Sequence, residues 1–132
     1  MIDHVTLLVS DFKRSLAFYT AALAPLGYTV AMQFTRAQMP ELPAPAFAGL
    51  GAGGKPDLWL RDADGRPVTP SHVALAAADR RAVQAFHAAA LAAGGRDHGG
   101  PGLRAEYHPH YYGAFVLDPD GYNLEAVCHK PQ

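Results

Sequence analysis

The stretch His4-Val5-Thr6-Leu7 recurs 68 residues later as His72-Val73-Ala74-Leu75, and this repetition decides the fold. At that offset, residues 4–27 and residues 72–95 agree at 11 of 24 positions, including a His, an Asp, a Phe and a Gly in addition to several alanines. Two copies of one supersecondary unit are expected to pack about a pseudo-twofold axis. Equivalent positions then approach each other, and two histidines facing one cavity are a way to build a metal site.

Composition excludes several classes of protein. The 132 residues carry a net charge of −1 with scattered basic residues, which argues against a nucleic-acid partner. Nearly half of them are apolar, enough for a core, but no apolar run approaches the roughly 18 residues that span a membrane. Residues 1–4 lack the features of a secretion signal, and the single Cys128 cannot form an internal disulfide. We therefore expect a cytoplasmic protein without a membrane partner.

Hydropathy, capping and turn signals predict the secondary structure of each copy. For the first copy they predict a strand over 2–9, a helix over 12–23 capped by Ser10 or Asp11, an extended segment over 28–35, a loop over 39–45, and a hairpin over 46–60. For the second copy they predict a strand over 72–77, a helix from Asp79 to Leu91 ended by Gly94-Gly95, a polar Gly-rich stretch, and a hairpin of 112–117 and 122–128. Each copy is thus assigned the order β-α-β-β-β.

Three side chains form a candidate metal site. Glu125 is the only carboxylate in the last strand, and a charge there is costly unless it is paired or binds a metal. His4, His72 and Glu125 together supply two imidazoles and one carboxylate. Such a set suits one divalent ion, Fe, Mn, Ni or Zn, with positions left open for substrate.

The chain resembles the vicinal oxygen chelate superfamily, which includes glyoxalase I, bleomycin-resistance proteins and extradiol dioxygenases. The motifs are His4-Val-Thr-Leu with Phe18-Tyr19, His72-Val-Ala-Leu, and the closing Phe115-Val-Leu-Asp-Pro-Asp-Gly-Tyr-Asn-Leu-Glu125. The resemblance covers essentially the whole chain. It implies an α+β fold in which two tandem βαβββ modules form a curved mixed sheet around a cavity, within one domain over 1–132 (modules 1–60 and 71–128). It also implies a homodimer that acts on a small molecule.

The resemblance assigns the metal ligands to His4, His72 and Glu125, and it leaves a fourth ligand position undecided. Aligning the hairpin glycines Gly54 and Gly121 pairs Glu125 with Leu58, whereas the strict offset pairs it with Asp57. We favour the glycine alignment, which predicts a three-ligand site with a hydrophobic residue at the fourth position.

The polar segment Arg104–Gly113 precedes the closing hairpin, and its rings could bind substrate or transfer protons near neutral pH. We predict His108, His110 and Tyr111 as catalytic residues acting beside the metal ligands. Trp59 and Phe34 either line the cavity or fill the core.

Three functions remain open. The first is a glyoxalase-like metal-dependent enzyme of the lyase or isomerase type, in which the ion stabilises an enediolate-like or alkoxide state. The second is an Fe(II) extradiol-type dioxygenase. It is disfavoured because Phe115 stands where that group carries a tyrosine, although Tyr111 or Tyr112 could substitute. The third is a metal-free, bleomycin-resistance-type protein that only binds its ligand.

Overall fold

The structure, a computed structural model, describes all of residues 1–132. The first module comprises β1 (Val5–Val9), α1 (Phe12–Leu23), β2 (Thr29–Thr35), β3 (Ala46–Gly51) and β4 (Leu58–Asp62). The second comprises β5 (His72–Ala76), α2 (Arg80–Ala92), β6 (Arg96–Leu103), β7 (Tyr112–Leu117) and β8 (Asn123–Cys128). The prediction of two tandem βαβββ modules is confirmed.

The two helices begin and end in the ways that the repeat predicts. Asp11 and Asp79 accept hydrogen bonds from the backbone amides three residues on, at 3.1 Å and 2.8 Å, and so satisfy a free donor of each first turn. The second helix ends at Gly94, whose φ of +102° is a conformation that costs glycine little. Asp11, rather than Ser10, is therefore the cap of α1.

Each module forms its own four-stranded mixed sheet, with the orders β1-β4-β3-β2 and β5-β8-β7-β6. In both, the first and last strands of the module pair in parallel and the remaining pairs are antiparallel. The two sheets are separate and unclosed, with no strand pairing between the modules. Strands β1 and β5 each pair on one side only and leave an edge without a strand partner.

The core lies on the helix-covered faces of the sheets. Each helix packs on its own sheet, and the two helices pack against each other. Phe18 of α1 and Phe86 of α2, which are equivalent in the repeat, are both fully buried within a single cluster of 19 residues from both modules. The opposite face of each sheet is left for a cavity. Neither helix is long and apolar enough to cross a membrane.

Strand β6 is the third strand that the βαβββ order implies for the second module, although its own sequence, Arg-Asp-His-Gly-Gly-Pro-Gly-Leu, is rich in residues that weaken strands. It is an edge strand whose pairing with β7 is interrupted on both sides of Gly99, where φ is +147°. Edge strands tolerate proline and irregular pairing, since one side of the strand needs no partner. Tertiary pairing with β7 thus overrides the local preference.

The turn between β7 and β8 fastens the second module to the first. The buried Asp118 accepts a hydrogen bond from Tyr19 of α1 at 2.5 Å and from the backbone amide of Tyr122 at 2.9 Å. Tyr122 donates to the carbonyl of Leu8 in β1 at 2.8 Å, and the Asp120 carboxylate accepts from the backbone and hydroxyl of Ser10. Part of the closing motif is therefore an intermodule contact.

Candidate functional site

Strands β5 and β8 place His72 and Glu125 next to each other. Their parallel register pairs His72 with Asn123 and Ala74 with Glu125, so the two side chains project from one face of the sheet. Nε2 of His72 lies 2.9 Å from Oε1 of Glu125. Glu125 is only 2% exposed, whereas 48% of the His72 side chain is exposed. The buried carboxylate is thus partnered at one oxygen by an imidazole that solvent can reach.

Tyr111 partners the second oxygen of the same carboxylate. Its hydroxyl donates to Oε2 of Glu125. Burial, together with this hydrogen bond and the negative charge of Glu125, raises the pKa of Tyr111 to about 12. The phenol therefore stays protonated at neutral pH and acts as a hydrogen-bond donor. Tyr107 packs edge-on against it, with ring centroids 5.2 Å apart.

These groups line a cavity of about 440 Å³. Its wall consists of His72, Tyr107, Tyr111, Phe115, Asn123 and Glu125. The rings of Phe115 and His72 lie 6.2 Å apart at an angle of 28°. One carboxylate, one imidazole and two phenols converge here. This second-module cavity can bind a cation or hydrogen-bond a polar molecule.

His4 lies in a different cavity, on the first module. This first-module cavity has a volume of about 300 Å³ and is mostly apolar, with a lining of His4, Thr6, Phe34, Leu42, Phe47 and Trp59. Phe34 and Trp59 thus line the cavity rather than fill the core, with nearly parallel rings 6.3 Å apart. The His4 side chain is 52% exposed, and its Nδ1 lies 2.7 Å from an oxygen of Asp3.

The three predicted ligands therefore do not come together within one chain. His72 and Glu125 meet, but no cavity is shared by His4 and His72. No group of three or more His, Cys, Asp or Glu side chains in the chain is arranged to hold a metal ion. The expected approach of the two repeated histidines does not occur between the modules of one chain.

The strand register shows that neither of the two residues considered for the fourth ligand position, Asp57 and Leu58, occupies it. Glu125 pairs with Ala74, the repeat equivalent of Thr6, and Thr6 pairs with Trp59. Trp59 is thus the structural counterpart of Glu125, and neither Asp57 nor Leu58 is. Leu58 is buried on the core face, and Asp57 precedes β4. Both sequence alignments fail because the offset between equivalent residues differs along the chain. The offset from Trp59 to Glu125 is two residues shorter than the offset from Thr6 to Ala74.

Of the three predicted catalytic residues, only Tyr111 lines the second-module cavity. His108 and His110 are exposed on the preceding loop, where the backbone of His110 donates to Nδ1 of His108 at 3.2 Å. The His108 ring also packs edge-on against His129. The prediction omitted Tyr107 and Asn123. Strand alternation was the signal for Asn123, since it lies two residues before Glu125, but nothing in the sequence distinguished Tyr107 from its aromatic neighbours.

The repeat, the fold and the paired His72 and Glu125 agree with a match to a family model over residues 1–126. The chain belongs to the Glyoxalase/Bleomycin resistance protein/Dioxygenase superfamily. This confirms the resemblance inferred from the sequence motifs. The superfamily includes glyoxalases, bleomycin resistance proteins and dioxygenases, so membership leaves the reaction of this protein open.

Solved structures show the same fold. A glyoxalase/bleomycin resistance protein from Albidiferax ferrireducens T118 is 27% identical, with a TM-score of 0.73 and 96% of each chain covered. A family enzyme from Burkholderia phytofirmans PsJN is 18% identical, with a TM-score of 0.69 and 98% of each chain covered. Glyoxalase I from Zea mays is 24% identical, with a TM-score of 0.68; the match covers 96% of this chain and 43% of the maize chain. No curated protein sequence matches the chain.

Proposed function

We propose that the protein is a divalent-metal-dependent enzyme of the glyoxalase-like group that acts on a small, oxygen-chelating substrate by lyase- or isomerase-type chemistry. The observation that carries the proposal is the pairing of His72 with the buried Glu125 in an open cavity, with Nε2 and Oε1 2.9 Å apart. A buried carboxylate beside a solvent-accessible imidazole is costly to maintain for packing alone. The same two groups are suitable ligands for Zn, Ni, Mn or Fe.

We further propose that the site is completed across a homodimer. Each cavity lies on the face of its sheet that the helix leaves free, and each is lined by one module only. A second copy could place its first-module cavity, with His4, over His72 and Glu125 of the first copy. The edges of β1 and β5 have no strand partner, and Ile2, before β1, and Val5, its first residue, are 81% and 36% exposed.

The donor set of the proposed dimer site, two imidazoles and one carboxylate, suits a divalent metal ion. When bound, the ion would supply Lewis-acid stabilisation of negative charge that develops on a substrate oxygen. Within each copy, Tyr111 and Phe115 contact the two ligands of the second module. Tyr111 orients Glu125 by donating to one of its oxygens, and the ring of Phe115 lies alongside that of His72.

A complementation experiment tests the shared site. Purified His4→Ala and Glu125→Ala chains are each measured for bound metal by mass spectrometry and then mixed, unfolded and refolded together. In a mixed dimer, one site receives both substitutions and the other receives neither. We therefore expect little metal in either parent and about one ion for each mixed dimer.

The parent proteins serve as the controls for refolding, each refolded alone. A mixture that binds no more metal than its parents would refute the shared site, while metal bound by wild type would still support a site within one chain. If wild type binds no divalent ion after equilibration with Mn, Fe(II), Ni and Zn, the enzyme proposal fails. A metal-free ligand-binding protein then becomes the better assignment.

A second candidate function is an Fe(II) extradiol-type dioxygenase, and the position of Tyr111 favours it. The missing tyrosine at position 115 counted against this reaction, but the Tyr111 hydroxyl reaches Glu125 from the preceding loop. Oxygen consumption by the Fe(II)-loaded protein with catechols would support this candidate. No consumption with Fe(II) bound would leave the lyase or isomerase assignment.

The setting that we propose is the reducing cytoplasm. Cys128 is a free, buried thiol in β8. A reducing compartment agrees with a single unpaired cysteine.

A further inference from the structure

Arg104 lines a second cavity next to the second-module cavity, and it has no anionic partner there. It directly follows β6, and its backbone amide donates to the carbonyl of Tyr111 at 2.7 Å. Its guanidinium donates to the carbonyl of Gly100 at 2.7 Å and lies 5.5 Å from the ring centroid of Phe115. The arginines that form ion pairs in this structure are Arg14 and Arg36, so the charge of Arg104 is not neutralised by a carboxylate.

Two glycines make room for this guanidinium. A Cβ atom at Gly99 would lie 3.3 Å from Nη2 of Arg104 and 2.9 Å from the Phe115 ring. A Cβ atom at Gly102 would lie 3.0 Å from Nη1. The irregular backbone of β6 thus forms a cradle for the side chain, and any larger residue would force the guanidinium to move.

The cavity beside Arg104 adjoins the cavity beside His72 and Glu125. Arg104 lines a cavity of about 360 Å³, and three of its lining residues, Tyr107, Phe115 and Asn123, also line the second-module cavity. The Phe115 ring separates the two ends, with the guanidinium at 5.5 Å and the His72 ring at 6.2 Å. A molecule that spans the Phe115 ring would contact both Arg104 and the pair of His72 and Glu125.

We propose that Arg104 binds an anionic group, a carboxylate or a phosphate, at the far end of the substrate. A guanidinium presents several donors in a fixed plane that matches the oxygens of such groups. The substrate class is then a small molecule with chelating oxygens at one end and an anionic group at the other, joined by a short chain. This inference rests on the proposed function, because it takes His72 and Glu125 as the chelating end.

Three 2-oxo acids with the same chelating end test the assignment: 2-oxoglutarate, 2-oxo-4-phosphonobutanoate and the distally uncharged 2-oxohexanoate. Their affinities are measured by calorimetry at constant ionic strength, with Mn(II)-loaded and with metal-free protein, since salt screens charge interactions. We expect a charged probe to bind wild type about tenfold more tightly than 2-oxohexanoate, the usual scale for a charge-assisted hydrogen bond. The stronger of the two charged probes identifies carboxylate or phosphate.

Arg104→Met, which retains an unbranched side chain over Phe115, should reduce this preference to less than about twofold, and Arg104→Lys should keep part of it. Arg96→Met is the matched control, because Arg96 lies exposed at the start of the same strand and lines no cavity; it should behave as wild type. The inference is overturned if Arg104→Met prefers the charged probes as strongly as wild type does, or if neither charged probe shows saturable binding to wild type. If wild type proves unable to bind a divalent ion but still prefers the charged probes, the proposed function fails and the Arg104 site stands.

Discussion

The two modules share a backbone plan but differ in what their cavities can bind. Cross-strand pairs at equivalent places show the difference: Gly49 pairs with Trp59 in the first module, and Phe115 pairs with Glu125 in the second. In the first, a large ring covers a glycine, and the cavity is mostly apolar. In the second, the ring lies on the neighbouring strand and the carboxylate faces the cavity. The two modules thus keep the same strand register, and the residues at these two paired positions decide whether the cavity is apolar or carries a carboxylate.

The largest expected effect tests whether Glu125 of the second module, and not Asp57 of the first, is a metal ligand. Glu125→Ala should weaken divalent metal binding at least a hundredfold, about 2.7 kcal/mol, because it removes the only carboxylate that lines the second-module cavity. Calorimetric titration with Mn(II) measures the change. Asp57→Ala is the matched control and should bind as wild type, since the register does not place it opposite Glu125. Loss of binding in Asp57→Ala would contradict the register argument.

The next effect concerns the contact that one module makes and the other lacks. The turn of the second module docks on the first through Asp118, whereas the β3–β4 turn carries no such buried carboxylate. Tyr19→Phe should lower the free energy of unfolding by about 2 kcal/mol, because Asp118 loses a buried donor. Urea denaturation measures it. Tyr122→Phe, whose hydroxyl binds a single carbonyl, should cost less; the reverse order would mean that Asp118 is not the main tie.

A smaller effect tests the exchange of ring and glycine. At Gly49 a Cβ atom would lie 2.9 Å from the Trp59 ring and 2.8 Å from Pro56, so Gly49→Ala should displace the ring. We expect a loss of about 1–2 kcal/mol and a shift in the emission of Trp59, the only tryptophan in the chain. Gly53→Ala meets no neighbouring atom but has a positive φ, so it should lower stability without shifting the emission. An unchanged emission in Gly49→Ala would show that Trp59 does not depend on this space.

The smallest effect is a pH dependence of the intermodule contact. Burial raises the pKa of the Asp118 carboxyl above its ordinary value, despite the hydrogen bonds that oppose this shift. The folded protein then holds the proton more tightly than the unfolded chain. The resulting stability is present in acid and lost as the pH rises through the folded pKa. The advantage of wild type over Asp118→Asn in urea denaturation should therefore be larger near pH 4 than near pH 7, and an opposite trend would contradict the assignment.

The sequence predicted most of the elements because their signals are local. Caps such as Asp11 and Asp79, and the helix-ending Gly94, act within one turn of backbone. Strand β6 carries no local signal, and only the repeat of the module order implied it, because it forms by pairing with β7. The alignment of Glu125 with Leu58 or Asp57 failed for a related reason: turn length sets the register, and a shift of one residue moves a side chain to the other face.

The sequence by itself determined the duplication, the βαβββ order and the importance of the closing motif, because repeated residues impose the same local geometry on both copies. The same pattern of residues also indicated that His72 and Glu125 lie close together. Only the tertiary structure decided that Trp59 stands opposite Glu125, that Tyr111 bonds to Glu125, and that His4 lies in a cavity of its own. These depend on how strands align and modules pack, which are long-range contacts that no local pattern specifies.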